Sequence, residues 1–212
     1  RIIEALDPEA LSMAAPGNLS SMIPSRISYL LNLRGPAISV DTACSSSLVA
    51  VHLACQSIRS GECEAAIAGS VKINVLPLDT GIRLGIESSD SRARTFDDSA
   101  DGTGIGDGVI ALLLKPLSRA QEDGDHIYAV IKGSAMNQDG SSVGITAPNA
   151  LAQEAVIARA WQDADIDPET VTYMEAHGTG TPLGDPIEID GLTRAFRRYT
   201  DKRQFCAISS LK

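Results

Sequence analysis

The stretch that decides the fold is Val40-Asp41-Thr42-Ala43-Cys44-Ser45-Ser46-Ser47-Leu48-Val49-Ala50. Just upstream, Gly35-Pro36 opens the apolar run Ala37-Ile38-Ser39-Val40, which predicts a buried strand. From Ser47 on, Leu48, Val49, Val51, Leu53, Ala54 and Ile58 fall at helical spacing, and Gly61 closes the pattern. Cys44 is thus predicted on the turn between a strand end and the first turn of a largely buried helix. Unpaired N–H groups and the positive end of the helix dipole favour a thiolate there over a thiol. The same donors suit an oxyanion on a bound acyl group. Ser45, Ser46 and Ser47 keep the turn small and supply capping oxygens. A free cysteine is ordinarily a small buried apolar residue. Its place on a strand-to-helix turn marks this one as a nucleophile.

A second centre lies far downstream. Val171-Thr172-Tyr173-Met174-Glu175-Ala176 reads as a strand running into His177-Gly178-Thr179-Gly180-Thr181-Pro182-Leu183-Gly184-Asp185-Pro186. Glycines at 178 and 180 leave no room for a packed helix, so the imidazole stands at a strand end where backbone can approach a ligand. His52, inside the helix after Cys44, and His126, in an Asp-rich turn, read as structural.

Together these stretches resemble a known family. DTACSSSLVAVHLA and EAHGTGTPLGDPIE are similar to the two central signatures of β-ketoacyl synthase (ketosynthase) domains, in the form found in modular polyketide synthases. GPAISVDTACSSS, KPLSRA, NQDGSSVGITAPN and the closing AISSLK also resemble that pattern, so the likeness runs through almost the whole chain. It implies an α/β fold of the thiolase-like type, layered αβαβα, in which two similar halves each contribute to the active site. Residues 1–212 would be part of one ketosynthase domain, with Cys44 near the end of the first half and His177 at the start of the second. Against the family pattern the domain is expected to be incomplete at both ends, lacking opening strands and a second histidine beyond Lys212. The piece alone is expected to be inactive.

The resemblance also implies roles. Cys44 would take an acyl chain as a thioester, and His177 would promote decarboxylation of a malonyl unit and stabilise its enolate. Lys212 would support the site electrostatically, and Thr179 and Thr181 would hydrogen-bond a phosphopantetheine arm. No permanently bound cofactor is implied; substrates arrive on the phosphopantetheine of an acyl carrier protein. The implied partners are that carrier, a second copy in a homodimer through the ketosynthase domain, and other domains of a synthase. Small departures stand out: Asp107 replaces an expected Glu, and Ser209 and Leu211 stand where Gly and Val are usual before Lys212.

Other classes compete. A cysteine hydrolase would use Cys44 with His177, but the local signatures of cysteine proteases are missing. A chain-length-factor protein would have lost the nucleophile. A non-elongating ketosynthase, which only passes chains on, keeps the cysteine and is damaged among the histidines. A fatty-acid-type β-ketoacyl synthase shares the same chemistry.

Composition narrows the field further. With 212 residues and 43% hydrophobic content, the chain is long enough for a sizeable core. A net charge of −9 without a compensating basic block argues against a nucleic-acid surface. Arg194, Arg197, Arg198, Lys202 and Arg203 do cluster, either as a solvated helix end or as a dock for an acidic partner. The four cysteines never form CxxC, so neither a disulfide framework nor a metal site is indicated. Without a signal peptide or an apolar run of membrane-spanning length, a cytoplasmic location and no membrane contact are expected.

The remaining elements follow from pattern. A helix is predicted after Ser20 or Ser21, and residues 4–19 read as irregular with a turn at Pro16-Gly17-Asn18. Ala65 to Val71 suits a central strand whose Gly69 lets another backbone approach. Gly102-Thr103-Gly104-Ile105-Gly106-Asp107-Gly108 invites a dinucleotide reading that fails, because positions 107 and 109 are Asp and Val. A tight backbone crossing near the active site accounts better for these glycines. Val109–Leu114 and Tyr128–Gly133 are predicted as paired antiparallel strands with a turn at Gly124. Asn149 is predicted to cap a helix carrying Val156, Ile157 and Trp161, and another helix is predicted over 185–198.

Overall fold

The computed structural model describes residues 16–17, 19–73 and 85–211. Among them run α1 (Met22–Leu31), α2 (Ser46–Arg59), β1 (Ala66–Lys72), β2 (Gly108–Leu114), α3 (Leu117–Glu122), α4 (Ala150–Ala164), β3 (Tyr173–Glu175), α5 (Gly184–Arg197) and β4 (Ala207–Ser209). Single 3-10 turns lie at Ala43–Ser45 and Pro168–Thr170. Helices and strands are interspersed along the chain, in line with the α/β expectation, although α1 and α2, β1 and β2, and α3 and α4 follow one another directly. The chain divides into two units, one reaching to Ser70 and including Ile110–His126, the other made of Val71–Val109 and the residues from Ile127 on. The irregular reading of residues 4–19 falls largely outside the described residues, and Pro16 and Gly17 are helical.

In the first unit α2 begins and ends as its sequence predicts. At its C-terminus the Gly61 and Glu62 amides donate to the carbonyls of Ile58 (3.1 Å) and Ser57 (3.0 Å), a Schellman closure. β1 pairs with β2. A Cβ on Gly69 would stand 3.3 Å from the Ile110 carbonyl, which is the close approach expected there. Three expectations need correction. Ala37–Val40 is not a strand, and Ile38 is 62% exposed. No residue of α2 is buried. Tyr128–Gly133 forms no strand, and α3 occupies part of the interval that was read as a plain turn. An apolar run forms a strand only where a second backbone offers a hydrogen-bonding ladder. β1 provides that ladder for β2, and no described segment provides one for Ala37–Val40 or Tyr128–Gly133. The turn after α3 is nevertheless as read: Gly124 takes φ +69°, and Lys115 Nζ bridges Asp123 and Asp125 at 2.5 Å each.

The second unit is built on α4 against α5. Asn149 caps α4 as predicted, its side-chain oxygen accepting from the amides of Leu151 (3.0 Å) and Ala152 (3.4 Å). Trp161 from α4 and Ala195 and Phe196 from α5 form the buried centre, with Ile157, Leu192, Met174 and Phe205 packed around it. The Trp161 and Phe196 rings lie 4.7 Å apart, and Phe205 meets Phe196 edge-on at 5.2 Å. β3 and β4 are parallel, with Tyr173 opposite Ala207, Met174 opposite Ile208 and Glu175 opposite Ser209. Thus the helix pair backs the strand that leads into His177. Much of the basic cluster at the end of α5 and after it is matched internally: Arg194 pairs with Asp190 at 2.8 Å, Arg198 with Glu154 at 3.8 Å and Lys202 with Glu169 at 2.5 Å. Arg197 donates to the carbonyls of Thr200 and Lys202.

Phe196→Ala should remove the centre of this packing and destabilise the second unit by about 3–5 kcal/mol. Arg203→Ala, at an exposed position, should shift stability by less than about 0.5 kcal/mol. Denaturant titration of both variants checks the contrast, and equal midpoints would disprove it.

Candidate active site

Cys44 sits inside the 3-10 turn Ala43–Ser45, which runs directly into α2, and it is exposed and free. The turn is held by its own neighbours. The Thr42 amide donates to Ser46 Oγ (2.8 Å), and the Ala43 amide to Asp41 Oδ1 (3.2 Å). Ser46 Oγ donates to the Ala43 carbonyl (2.8 Å), and Ser45 Oγ to the Thr42 carbonyl (2.9 Å). The serines therefore tie the turn together from behind. They do not cap the helix as expected: Ser45, at the N-cap position, makes no side-chain capping bond. Ala43 takes φ +53°, a left-handed conformation that costs a non-glycine residue of order 1–3 kcal/mol. Strain of this kind marks a geometry imposed by the surrounding bonds. The other cysteines, Cys55, Cys63 and Cys206, are half-buried, and burial pushes the Cys206 thiol up.

His177 is exposed, immediately past β3. Its loop is fixed by two acids at the start of α5. Glu188 accepts from the amides of His177 (2.6 Å) and Gly178 (2.8 Å). Asp185, 6% exposed, accepts from the Gly180 amide (3.0 Å) and the Phe96 amide (2.8 Å). One buried carboxylate thus pins the His177 loop to the segment around Phe96. Thr95 Oγ1 adds a bond to the Gly178 carbonyl (2.6 Å), and the Gly102 amide donates to the Gly180 carbonyl (2.9 Å). A side chain at Gly102, where φ is +153°, would meet the Glu87–Ser88 peptide at 2.5 Å. Of the glycines that mimic a dinucleotide motif, Gly102 and Gly104 make the expected tight crossing, against Glu87–Ser88 and Ser91, and Gly102 also bonds the histidine loop, while Gly106 and Gly108 stand in open space. Thr179 and Thr181 share a hydroxyl–hydroxyl bond of 2.9 Å, and Thr181 Oγ1 also accepts from the Gly184 amide. Lys212 lies outside the described residues.

Sequence reading singled out Cys44, His177, Thr179 and Thr181 but gave no task to Asp185 or Glu188. A signal was present: two acids three residues apart at the start of a helix lie on one face, close to unpaired amides. Among the described residues no group of His, Cys, Asp and Glu could hold a metal, and no helix is long and apolar enough to cross a membrane.

Residues 3–120 match the N-terminal domain of the β-ketoacyl synthases, and residues 128–212 match the C-terminal domain of the same enzymes. The chain belongs to the β-ketoacyl synthase family. Polyketide synthase PksL of Bacillus subtilis strain 168 is 53% identical over 204 residues, covering 95% of this chain and 4% of that protein. Polyketide synthase PksM of the same strain is 52% identical over 210 residues, covering 96% and 5%. Among solved structures, the ketosynthase from module 6 of the Bacillus subtilis bacillaene synthase superposes with TM-score 0.88 at 46% identity. That match covers 92% of this chain and 35% of the other. An oxazolomycin ketosynthase domain from Streptomyces albus JA3453 gives TM-score 0.87 at 40% identity, covering 95% and 36%. The α/β fold is therefore that of a thiolase-like ketosynthase, and the chain spans about a third of the length of these solved relatives.

Brief treatment with iodoacetamide near neutral pH, followed by peptide mapping, should label Cys44 ahead of the other three thiols. Dominant labelling at Cys55, Cys63 or Cys206 would remove Cys44 from the nucleophile's role. Separately, Asp185→Ala would strand two amides, costing roughly 1–3 kcal/mol for each that stays buried. A thermal melt of that variant should show a clear loss of stability, and an unchanged melt would mean that Asp185 does not pin the loop.

Proposed function

We propose that residues 1–212 are part of one ketosynthase domain of a modular polyketide synthase, and that the domain joins acyl units by decarboxylative condensation. The observation that carries this reading is Cys44, exposed on a strained turn at the uncapped start of α2, in a chain that also presents an exposed His177 on a braced loop. The thiolate of Cys44 attacks the thioester carbonyl of an acyl chain carried on the phosphopantetheine of an acyl carrier protein. The chain moves to Cys44 and the carrier thiol leaves with a proton. A malonyl-type unit on a carrier then loses CO₂, and the electrons of the broken C–C bond form an enolate. His177 donates a hydrogen bond to that enolate oxygen and so promotes the decarboxylation. The enolate carbon attacks the Cys44 thioester, the C–S bond breaks, and the thiolate is restored. Lys212 supports the developing charge, and Thr179 and Thr181 bind the amides of the carrier's arm. In the 2.9 Å bond between their hydroxyls Thr179 keeps acceptor capacity for such a donor, and Thr181, which already accepts from the Gly184 amide, keeps it when it is the donor to Thr179.

Extended apolar exposure supports the reading as part of a larger domain. Leu48 on α2 and Val109, Ile110 and Leu113 on β2 are between 64% and 74% exposed, a surface that the rest of such a domain would cover. The carrier protein, the neighbouring domains of a synthase and a second copy in a homodimer are the partners this function requires, and the cytoplasm is its setting. Retention of His177 favours elongation over simple chain transfer.

In the full-length protein that carries this chain, Cys44→Ala should abolish both acyl loading and condensation. His177→Ala should leave loading measurable and lower condensation by about two to four orders of magnitude. Intact-mass detection of the acyl-enzyme, paired with a product assay, separates the two steps. A His177→Ala variant that fails to load as completely as Cys44→Ala would make His177 the base for the thiol instead.

A further inference from the structure

Past the ends of β3 and β4 the ladder stops, and each chain is caught by a glutamate. The amide of His177, after β3, goes to Glu188. The amide of Leu211, after β4, donates to Glu175 Oε1 at 2.7 Å. Glu175 is itself the last residue of β3, and it faces Ser209, the last residue of β4. Its other oxygen, Oε2, accepts from Tyr173 OH (2.5 Å) and Ser209 Oγ (3.2 Å), and those two hydroxyls lie 2.6 Å apart. Tyr173 and Glu175 share a face because strand side chains alternate. Ser210 Oγ closes the set by donating to the His177 carbonyl at 3.2 Å.

None of this is needed to pair the strands. The backbone ladder does that, through Ala207 N–H to the Thr172 carbonyl (2.9 Å) and Ala176 N–H to the Ser209 carbonyl (2.8 Å). What the carboxylate adds is a link between the residue that precedes Lys212 and the strand that delivers His177. Ser209 strengthens the link in this chain, since the usual Gly at that position carries no hydroxyl.

We propose that Glu175, seated by Tyr173 and Ser209, is a positioning residue that locks the backbone leading to Lys212 against the backbone leading to His177. The proposal rests on the ketosynthase reading above. The donors around Glu175, Tyr173 OH first and then the Leu211 amide, hold its carboxyl below the usual range. The lock is therefore built around the ionised form. Glu175→Ala removes the acceptor from Leu211 N–H. Glu175→Gln keeps one oxygen for that amide and turns its NH₂ toward hydroxyls that can accept, so it should restore most of the lock.

The test uses the full-length protein that carries this chain, with two readouts. Hydrogen exchange of the peptide ending at Leu211 reports the lock, and acyl loading of Cys44 alongside condensation reports its use. Glu175→Ala should speed exchange near Leu211, load Cys44 within about twofold of the parent, and condense about 10–100-fold more slowly, the scale of a small misplacement of reacting groups. Glu175→Gln should recover most of the exchange protection and of the condensation rate. Tyr173→Phe, a milder change, should shift both readouts in the same direction by less. Unchanged exchange and condensation in Glu175→Ala would overturn the proposal. So would equal losses of loading and condensation in the Ala and Gln variants, which would indicate a general fold defect. Failure of the parent to condense at all overturns the ketosynthase reading instead, and leaves the exchange arm to judge the lock alone.

Discussion

Asp185 is nearly buried and carries a carboxylate whose two oxygens each receive a backbone amide, from Gly180 and from Phe96. A charge removed from water in this way needs full pairing, and peptide donors supply it without a counter-cation. Asp185 lies in the first turn of α5, where the helix dipole also favours an anion. The carboxylate therefore ties together three things at once: the start of α5, the path of the loop after His177, and the segment around Phe96. Without that pairing, the bond of Thr95 Oγ1 to the Gly178 carbonyl and that of the Gly102 amide to the Gly180 carbonyl are left to hold the loop to its neighbours.

Behind that loop stands the aromatic packing of α4 on α5. Trp161, Phe196 and Phe205 make the only large buried apolar centre among the described residues, and Met174 of β3 packs on it. The histidine is thus carried on a strand whose inner face is anchored, while its loop is trimmed by acids from the neighbouring helix. The cysteine is carried differently. Its unit has no comparable buried centre among the described residues, and the geometry around the thiol is set by short-range bonds between residues 41 and 46.

What was legible in the sequence was local. The start and Schellman end of α2, the Asn149 cap, the turn at Gly124 and the helix after Pro186 are written in residues a few positions apart, and all of them are found. The family was legible for the same reason, since Cys44 and His177 are each embedded in a long contiguous motif. The failures at Ala37–Val40 and Tyr128–Gly133 are failures of partnership: β-propensity states what a segment would do beside another strand, and says nothing of whether one is there. Asp185, Glu188 and Glu175 escaped for a third reason. The paired acids at the start of α5 were a visible signal, but the partners are peptide amides, joined at Glu175 by two hydroxyls, and nearly every residue possesses an amide, so the pattern could not name the ones that are bound.

The turn at Ala43 has a consequence for how such a site can diversify. A left-handed residue ahead of Cys44, in a turn held by side chains no further away than Asp41 and Ser46, fixes the backbone from which the thiol projects. Substitutions elsewhere in the fold can then accumulate without moving the Cys44 backbone. The shape of the turn and the make-up of its surroundings become separately heritable traits, so one turn can persist among very different neighbours.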